Sequence, residues 1–175
     1  NICDAKGFIL FNGLFLKSKH DSFYLIIHKN LQDKCVDHLK KLVFRAKVGI
    51  EISSNIKPGD ILSLEGDLGA GKTTFVKGLL KGLNYKHDVT SPTFTLVNEY
   101  YADFKVIHID FYRETNHKRW EVIGLDEYLY SDNIVILEWG NIVKDLLPND
   151  IIKINFEHID KNKRRLFSEN ERFRN

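Results

Sequence analysis

"GDLGAGKTTF", residues 66–75, sets a lysine and two threonines behind a run of glycines, directly after an apolar segment. Gly66 to Thr73 fit G-x-x-x-x-G-K-[ST] without a mismatch. Bound phosphates need many donors close to the main chain. Glycines at 69 and 71 let the backbone curl so that its N–H groups point inward. A helix predicted to begin near Lys72 adds the positive end of its dipole. Asp67, Leu68, Gly69, Ala70, Gly71, Lys72, Thr73 and Thr74 are the candidate nucleotide-binding residues. Lys72 is placed to reach the β- and γ-phosphates, Thr73 to ligate Mg²⁺ and Thr74 to touch the α-phosphate.

The flanking sequence supplies the context this loop requires. Ile61 to Leu64 read as a short buried strand after the "KPGD" turn at 57–60. Beyond the loop, Val76, Leu79, Leu80 and Leu83 form an apolar stripe on one helix face. Gly78 and Gly82 weaken that helix, each by about 1 kcal/mol against alanine. Upstream, Leu31 to Ile56 keep a mostly helical spacing. Downstream, "TFTLVNEYY" (93–101) and "KVIHID" (105–110) read as a hairpin. "RWEVIGLDEYL" (119–129) reads as a helix interrupted at Gly124. "NIVILEW" (133–139), "DIIKINF" (150–156) and a segment around Arg165 to Phe167 read as further strands. Strands alternating with helices predict an α/β P-loop NTPase fold: a central, mostly parallel sheet flanked by helices, with a β-hairpin element.

Composition bounds the rest. The chain has 175 residues, 43% hydrophobic and 29% charged. It carries 26 basic and 24 acidic side chains, so no global charge argues for nucleic acid, membrane or acidic partners. Two cysteines, Cys3 and Cys35, have no metal or redox spacing, which points to a reducing cytoplasm. The apolar run Phe8 to Leu16 is far short of the about 20 residues a membrane span needs. Asn12 and Gly13 interrupt it as a signal-peptide core. With no methionine in the chain, residue 1 is expected not to be a translation start. The expected organisation is an N-terminal extension (1–30), a P-loop ATPase domain (31–168) and a C-terminal tail (169–175).

Two acids lie where hydrolytic machinery is expected. Asp110 ends the strand "KVIHID" at the edge where ligands of parallel sheets bind. It is either a Mg²⁺ ligand or a turn-capping aspartate. Glu138 ends "NIVILE". It either positions the attacking water, with a further possible part at Mg²⁺, or is an edge-strand charge. Thr93 in "SPTFT" is a switch-like hydroxyl or a residue of a β-rich turn. Trp139 covers the nucleotide or fills the core. His108, between Ile107 and Ile109, faces away from them as a strand residue. Arg113 is the only arginine near the site by sequence.

The segments "GDLGAGKTTF" (66–75), "SPTFTLVNEY" (91–100), "HIDFYR" (108–113), "EVIGLDEYL" (121–129) and "ILEWG" (136–140) together resemble the TsaE family. These are small P-loop ATPases of bacterial tRNA threonylcarbamoyladenosine synthesis. The resemblance runs from about Lys34 to Phe167. It implies Thr73 and Asp110 at Mg²⁺, Thr93 as the switch threonine, and Glu138 with Trp139 as required for ATP hydrolysis. It further implies TsaB- and TsaD-type partners, with tRNA reached through their complex and ATP turnover resetting it. Gly140 stands where the family usually has proline or another small residue, Arg45 where threonine is common, and residues 1–30 have no counterpart.

Rival readings make different demands. A small-molecule kinase needs an arginine-rich lid, and no such cluster lies between the strands. A nucleotide-binding protein without turnover would not need Lys72, Thr73, Asp110 and Glu138 all intact. Residues 153–175 hold seven basic and four acidic side chains, a local excess open to a solvated tail or to a phosphate-backbone contact.

Overall fold

The computed structural model describes residues 2–3, 9–11, 13–17, 23–27, 30, 47–159 and 164–173. The chain divides into two compact units, Asn1–Phe44 and Arg45–Asn175. In the first, β1 (Ile2–Cys3) pairs antiparallel with β2 (Ile9–Phe11). Likewise β3 (Gly13–Lys17) pairs antiparallel with β4 (Phe23–Ile27), Gly13 opposite Ile27 and Lys17 opposite Phe23. The apolar run that could pass for a signal core thus contributes to two β-ribbons. Of the helix expected over 31–56, residues 31–46 lie outside the described residues.

The second unit is built on β5 (Ile61–Gly66), whose residues 61–64 are buried on both faces, as a central parallel strand requires. The other elements are α1 (residues 47–53), α2 (Lys72–Gly82), β6 (Val97–Tyr101), β7 (Lys105–Asp110), α3 (His117–Ile123) and α4 (Leu125–Leu129). They are followed by β8 (Ile134–Glu138), a 3-10 segment (Gly140–Leu146), β9 (Ile152–His158), β10 (Arg164–Phe167) and a short 3-10 turn (Glu171–Phe173). The sheet runs β10-β9-β5-β8-β7-β6. Its four inner strands are parallel, while β6 and β10 pair antiparallel at the two edges. This is the mostly parallel α/β sheet with a hairpin that the pattern predicts.

Period-two alternation sorts the inner strands into two cores. Leu62, Leu64, Val106, Ile134, Ile136, Ile152, Ile154 and Phe156 meet Phe75, Val76, Leu79 and Leu80 of α2. Each of these α2 side chains is fully buried, contributing about 1.5–3 kcal/mol of transfer free energy. On the opposite face, Ile107, Ile109, Val135 and Leu137 pack with Phe111, Trp120, Leu125 and Leu129. His108, Asp110 and Glu138 therefore share the α2 side.

Two details correct the sequence reading. The strand expected from Thr93 begins only at Val97. Residues 93–96 form a turn, closed by the Leu96 N–H donating to the Pro92 carbonyl at 2.6 Å, with Leu96 in the left-handed region at φ 67°. The glycines of α2, costly by propensity, are where α1 crosses it. A Cβ at Gly82 would collide with the Ser53 side chain, and one at Gly49 with the Phe75 carbonyl and, at 2.7 Å, the Leu79 nitrogen. Close helix packing offsets the propensity cost.

Candidate functional site

The parallel strands β5, β7 and β8 end together, and their last residues build the site. Asp110 is in register with Glu138, and Glu138 with Leu64. From β5 the chain turns at Gly66, Gly69 and Gly71, all at positive φ (146°, 78° and 103°). At Gly66 only glycine fits, because a Cβ would lie 2.5 Å from the Phe156 carbonyl oxygen. Gly71 opens α2 without a side-chain cap. The first N–H groups of α2 thus keep free donors for an anion. By contrast, Asn116 caps α3 through the Lys118 N–H at 3.1 Å.

Asp67, Leu68 and Gly69 are exposed on the loop, Ala70 is buried beneath it, and Thr73 and Thr74 are half-buried. Lys72 is only 4% exposed. Its ammonium donates to the Gly66 carbonyl at 2.6 Å and the Asp67 carbonyl at 3.2 Å, and lies 3.9 Å from the centre of the Trp139 ring. Burial pushes its pKa below the ordinary lysine value, against the attraction of Glu138, Asp110, Glu65 and Asp67. A cation held in this way by neutral carbonyls is stabilised by any anion that enters.

The two acids are each engaged by a hydroxyl. Thr73 donates to Glu138 Oε1 at 2.9 Å. Thr93 donates to Asp110 Oδ2 at 2.5 Å, and Ser91 lies 2.8 Å from the Thr93 hydroxyl. Asp110 Oδ1 accepts the Tyr112 N–H. Both carboxylates are buried, Asp110 at 2% and Glu138 at 4% exposure. The structure therefore joins Thr73 to Glu138 and Thr93 to Asp110 by hydrogen bonds.

Trp139 packs against the core and also reaches the loop lysine. It is half-buried against the second core, and its ring lies beside Lys72 and 5.0 Å from the Tyr112 ring. Its backbone is left-handed at φ 62°, an uncommon setting for a bulky residue and one typical of functional sites. Gly140 follows because a Cβ there would fall 2.6 Å from the Ser63 hydroxyl. Arg113 is exposed and stacks on Phe94, 4.6 Å from its ring centre. His108 has the contact that strand alternation could not reveal: its Nε2 is 3.0 Å from Glu138 Oε1. A separate cleft of about 420 Å³ adjoins the loop's entry, lined by Glu65, Asp67, Asn155, Glu157 and His158 among others, too acidic for phosphate.

Hydroxyl and carboxylate oxygens suit a hard cation such as Mg²⁺. Among the described residues no group of three or more His, Cys, Asp or Glu is placed to hold a metal. A cation here would take one or two protein ligands, as Mg²⁺ does when substrate phosphates complete its shell.

No described helix is long and apolar enough to cross a membrane. In the basic C-terminal segment, Arg165 pairs with Glu157 at 2.9 Å and Arg172 with Asp60 at 2.8 Å, while Lys161, Lys163 and Arg174 lie outside the described residues.

The family model for threonylcarbamoyl adenosine biosynthesis protein TsaE matches residues 40–166. The tRNA threonylcarbamoyladenosine biosynthesis protein TsaE of Bacillus subtilis (strain 168) is 44% identical over 99 residues, 56% of this chain and 61% of that protein. That of Haemophilus influenzae is 41% identical, over 55% of this chain and 62% of its own length. The chain thus spans less than two thirds of these two relatives. That of Aquifex aeolicus (strain VF5) is 45% identical over 123 residues, 69% of this chain and 84% of its own. The crystal structure of YdiB from Bacillus subtilis superposes with a TM-score of 0.59 at 34% identity, covering 69% of this chain and 75% of that one.

Proposed function

The chain belongs to the TsaE family, and from that premise we propose that it is the ATP-binding and ATP-hydrolysing subunit required for threonylcarbamoyladenosine modification of tRNA. It acts in the cytoplasm with TsaB- and TsaD-type partners, meets tRNA through their complex, and uses ATP turnover to reset the transferase between rounds. The observation that carries this reading is the uncapped start of α2. There Lys72 is buried on carbonyls and Thr73 is tied to Glu138.

In this reading the loop N–H groups and Lys72 bind and orient the phosphates, Lys72 exchanging its two carbonyls for phosphate oxygens. Thr73 and Asp110, with Glu138 as a further oxygen donor, would hold Mg²⁺, which when bound supplies charge neutralisation on the phosphoryl oxygens. Glu138 accepts a hydrogen bond from the attacking water and aligns it with the γ-phosphate. Thr93, already on Asp110, reports whether the γ-phosphate is present. Trp139 and Tyr112 shield Lys72 from water. Arg113, the arginine nearest the site by sequence, is stacked on Phe94, and the lone chain turns over slowly.

The test is Mg·ATP turnover by the purified chain, alone and with TsaB- and TsaD-type partners plus tRNA. The expected result is slow hydrolysis that rises in the complex, with several rounds of tRNA modification. Hydrolysis indifferent to the partners, or phosphate passed to a small acceptor, refutes the reading in favour of a kinase. No turnover in any mixture leaves a nucleotide-binding protein.

A further inference from the structure

His108 is fully buried in the middle of β7, on the α2 side of the sheet, where Val106 and its register partner Ile136 are apolar. An aliphatic side chain would suit that environment. The imidazole instead brings a polar cost: its Nδ1 is buried with no hydrogen-bond partner. Such an orphan calls for a reason, and the other ring nitrogen supplies it. Nε2 lies 3.0 Å from Glu138 Oε1. An ionised carboxylate only accepts, so Nε2 carries a proton toward it, and Nδ1 is left without a partner.

Glu138 Oε1 also accepts the Thr73 hydroxyl at 2.9 Å. One carboxylate oxygen thus has two donors converging from β7 and α2. No hydrogen bond between described side chains engages Oε2. A carboxylate tied at one oxygen by a single donor swings about its terminal torsion, which is broad. Two donors from different elements fix its plane.

We propose that His108 is a positioning residue that, with Thr73, locks Glu138 through Oε1 and so presents Oε2 alone to the attacking water. The proposal rests on the hydrolytic reading for its consequence, but the tie itself is a property of the nucleotide-free protein.

Two measurements test it. The first is the ¹⁵N spectrum of histidine-labelled, nucleotide-free protein, with His108 assigned by its loss in His108→Gln. A neutral Nε2–H tautomer with a slowly exchanging proton, shifted by Glu138→Gln, is expected; an Nδ1–H tautomer overturns the proposal. The second is steady-state turnover beside Mg·ATP affinity. His108→Leu lowers kcat by about 10–100-fold and leaves nucleotide Kd within about threefold. His108→Gln, which keeps an N–H donor near the Nε2 position, recovers most of the rate. Adding His108→Leu to Glu138→Gln lowers kcat no further. Unchanged kcat in His108→Leu, or equal loss in both His108 variants, overturns the proposal. If His108→Leu does not fold, the tautomer and the His108→Gln rate decide. Wild-type protein without turnover refutes the hydrolytic reading and leaves the tautomer to test the tie. Wild-type turnover with an indifferent His108→Leu refutes the positioning role alone.

Discussion

The two ends of β5 hold buried charge in opposite ways. Just before the strand, Asp60 is 7% exposed and fully served. Arg172 grips both its oxygens in a fork, at 3.0 and 2.8 Å, and the Lys57 N–H donates at 2.9 Å. Just past the strand, Lys72 is as deeply buried but bonds only to carbonyls. Glu138 crowds two donors onto one oxygen, His108 has an orphan nitrogen, and Trp139 sits in a left-handed backbone. The first end is a finished structural joint. The second is held at a cost, as strained, partly satisfied polar groups at functional sites are.

The largest expected break is Lys72→Met, which keeps the stem and removes the charge. Nucleotide Kd rises about 10³-fold or more, roughly 4 kcal/mol, measured by calorimetric titration. The unliganded melting midpoint is unchanged or higher. The pH dependence sharpens the contrast. Burial lowers the Lys72 pKa, so between its folded value and the ordinary 10.5 the folded protein binds fewer protons than the unfolded one. Stability therefore climbs with pH across that window, and Lys72→Met abolishes the climb. The hydrogen bonds to Asp60 raise the Arg172 pKa instead. Its contribution is present below the ordinary guanidinium value and is lost only above it, so it is flat over the same window.

Next in size is Glu138→Gln against Asp60→Asn, two buried carboxylates made neutral. Glu138→Gln lowers kcat by about 10²-fold or more, keeps nucleotide binding within about threefold, and leaves the melting midpoint nearly unmoved. Asp60→Asn lowers the melting midpoint and leaves kcat and nucleotide binding unchanged. Equal loss of binding and turnover in Glu138→Gln would remove its role in aligning water.

Arg172→Ala tests the joint itself. It leaves Asp60 buried on a single backbone donor. Because the Arg172 side chain is 36% exposed, the cost is discounted to about 1–2 kcal/mol, a fall in melting midpoint of roughly 3–6 °C. Nucleotide affinity stays unchanged. A shift in affinity comparable to that in stability would mean that the two ends of β5 are not independent.

What the sequence disclosed follows the range of each interaction. The glycine loop, α2 and strands β5, β7 and β8 are legible because their signals are local: a motif of eight positions, a helical stripe, alternation ending on an acid. Residues 93–96 misread as strand because Thr93 and Thr95 carry β propensity, while the Pro92–Leu96 bond that turns them is a backbone event. The pairings inside the site were hidden. Thr73 and Glu138 lie 65 positions apart, His108 and Glu138 30, and Asp60 and Arg172 112. Alternation did put His108 and Asp110 on one strand face, and Glu138 on another strand's. Only the register of β7 on β8, Asp110 against Glu138, brings them to one edge.

A partly exposed charged pair calibrates the two ends of β5. On the antiparallel edge, Lys105 donates to Glu99 at 3.0 Å across β6 and β7, with both side chains a third exposed. The Lys105 hydrogen bond, aided by Tyr101, holds the Glu99 carboxyl below its ordinary 4.5. A depressed carboxylate contributes stability above its unfolded pKa and loses it as pH falls through the folded value. The pH dependence that Glu99 gives this pair therefore falls on the acid limb of a stability profile, well away from the window that belongs to Lys72. Water and salt screen it, so Lys105→Ala moves the melting midpoint by about 1 °C or less at neutral pH. Raised salt erases even that. If Lys105→Ala proved as damaging as Arg172→Ala, burial would not be what separates these pairs. The contrast between the two ends of β5 would then have to be drawn from geometry alone: a forked guanidinium at one end, carbonyls at the other.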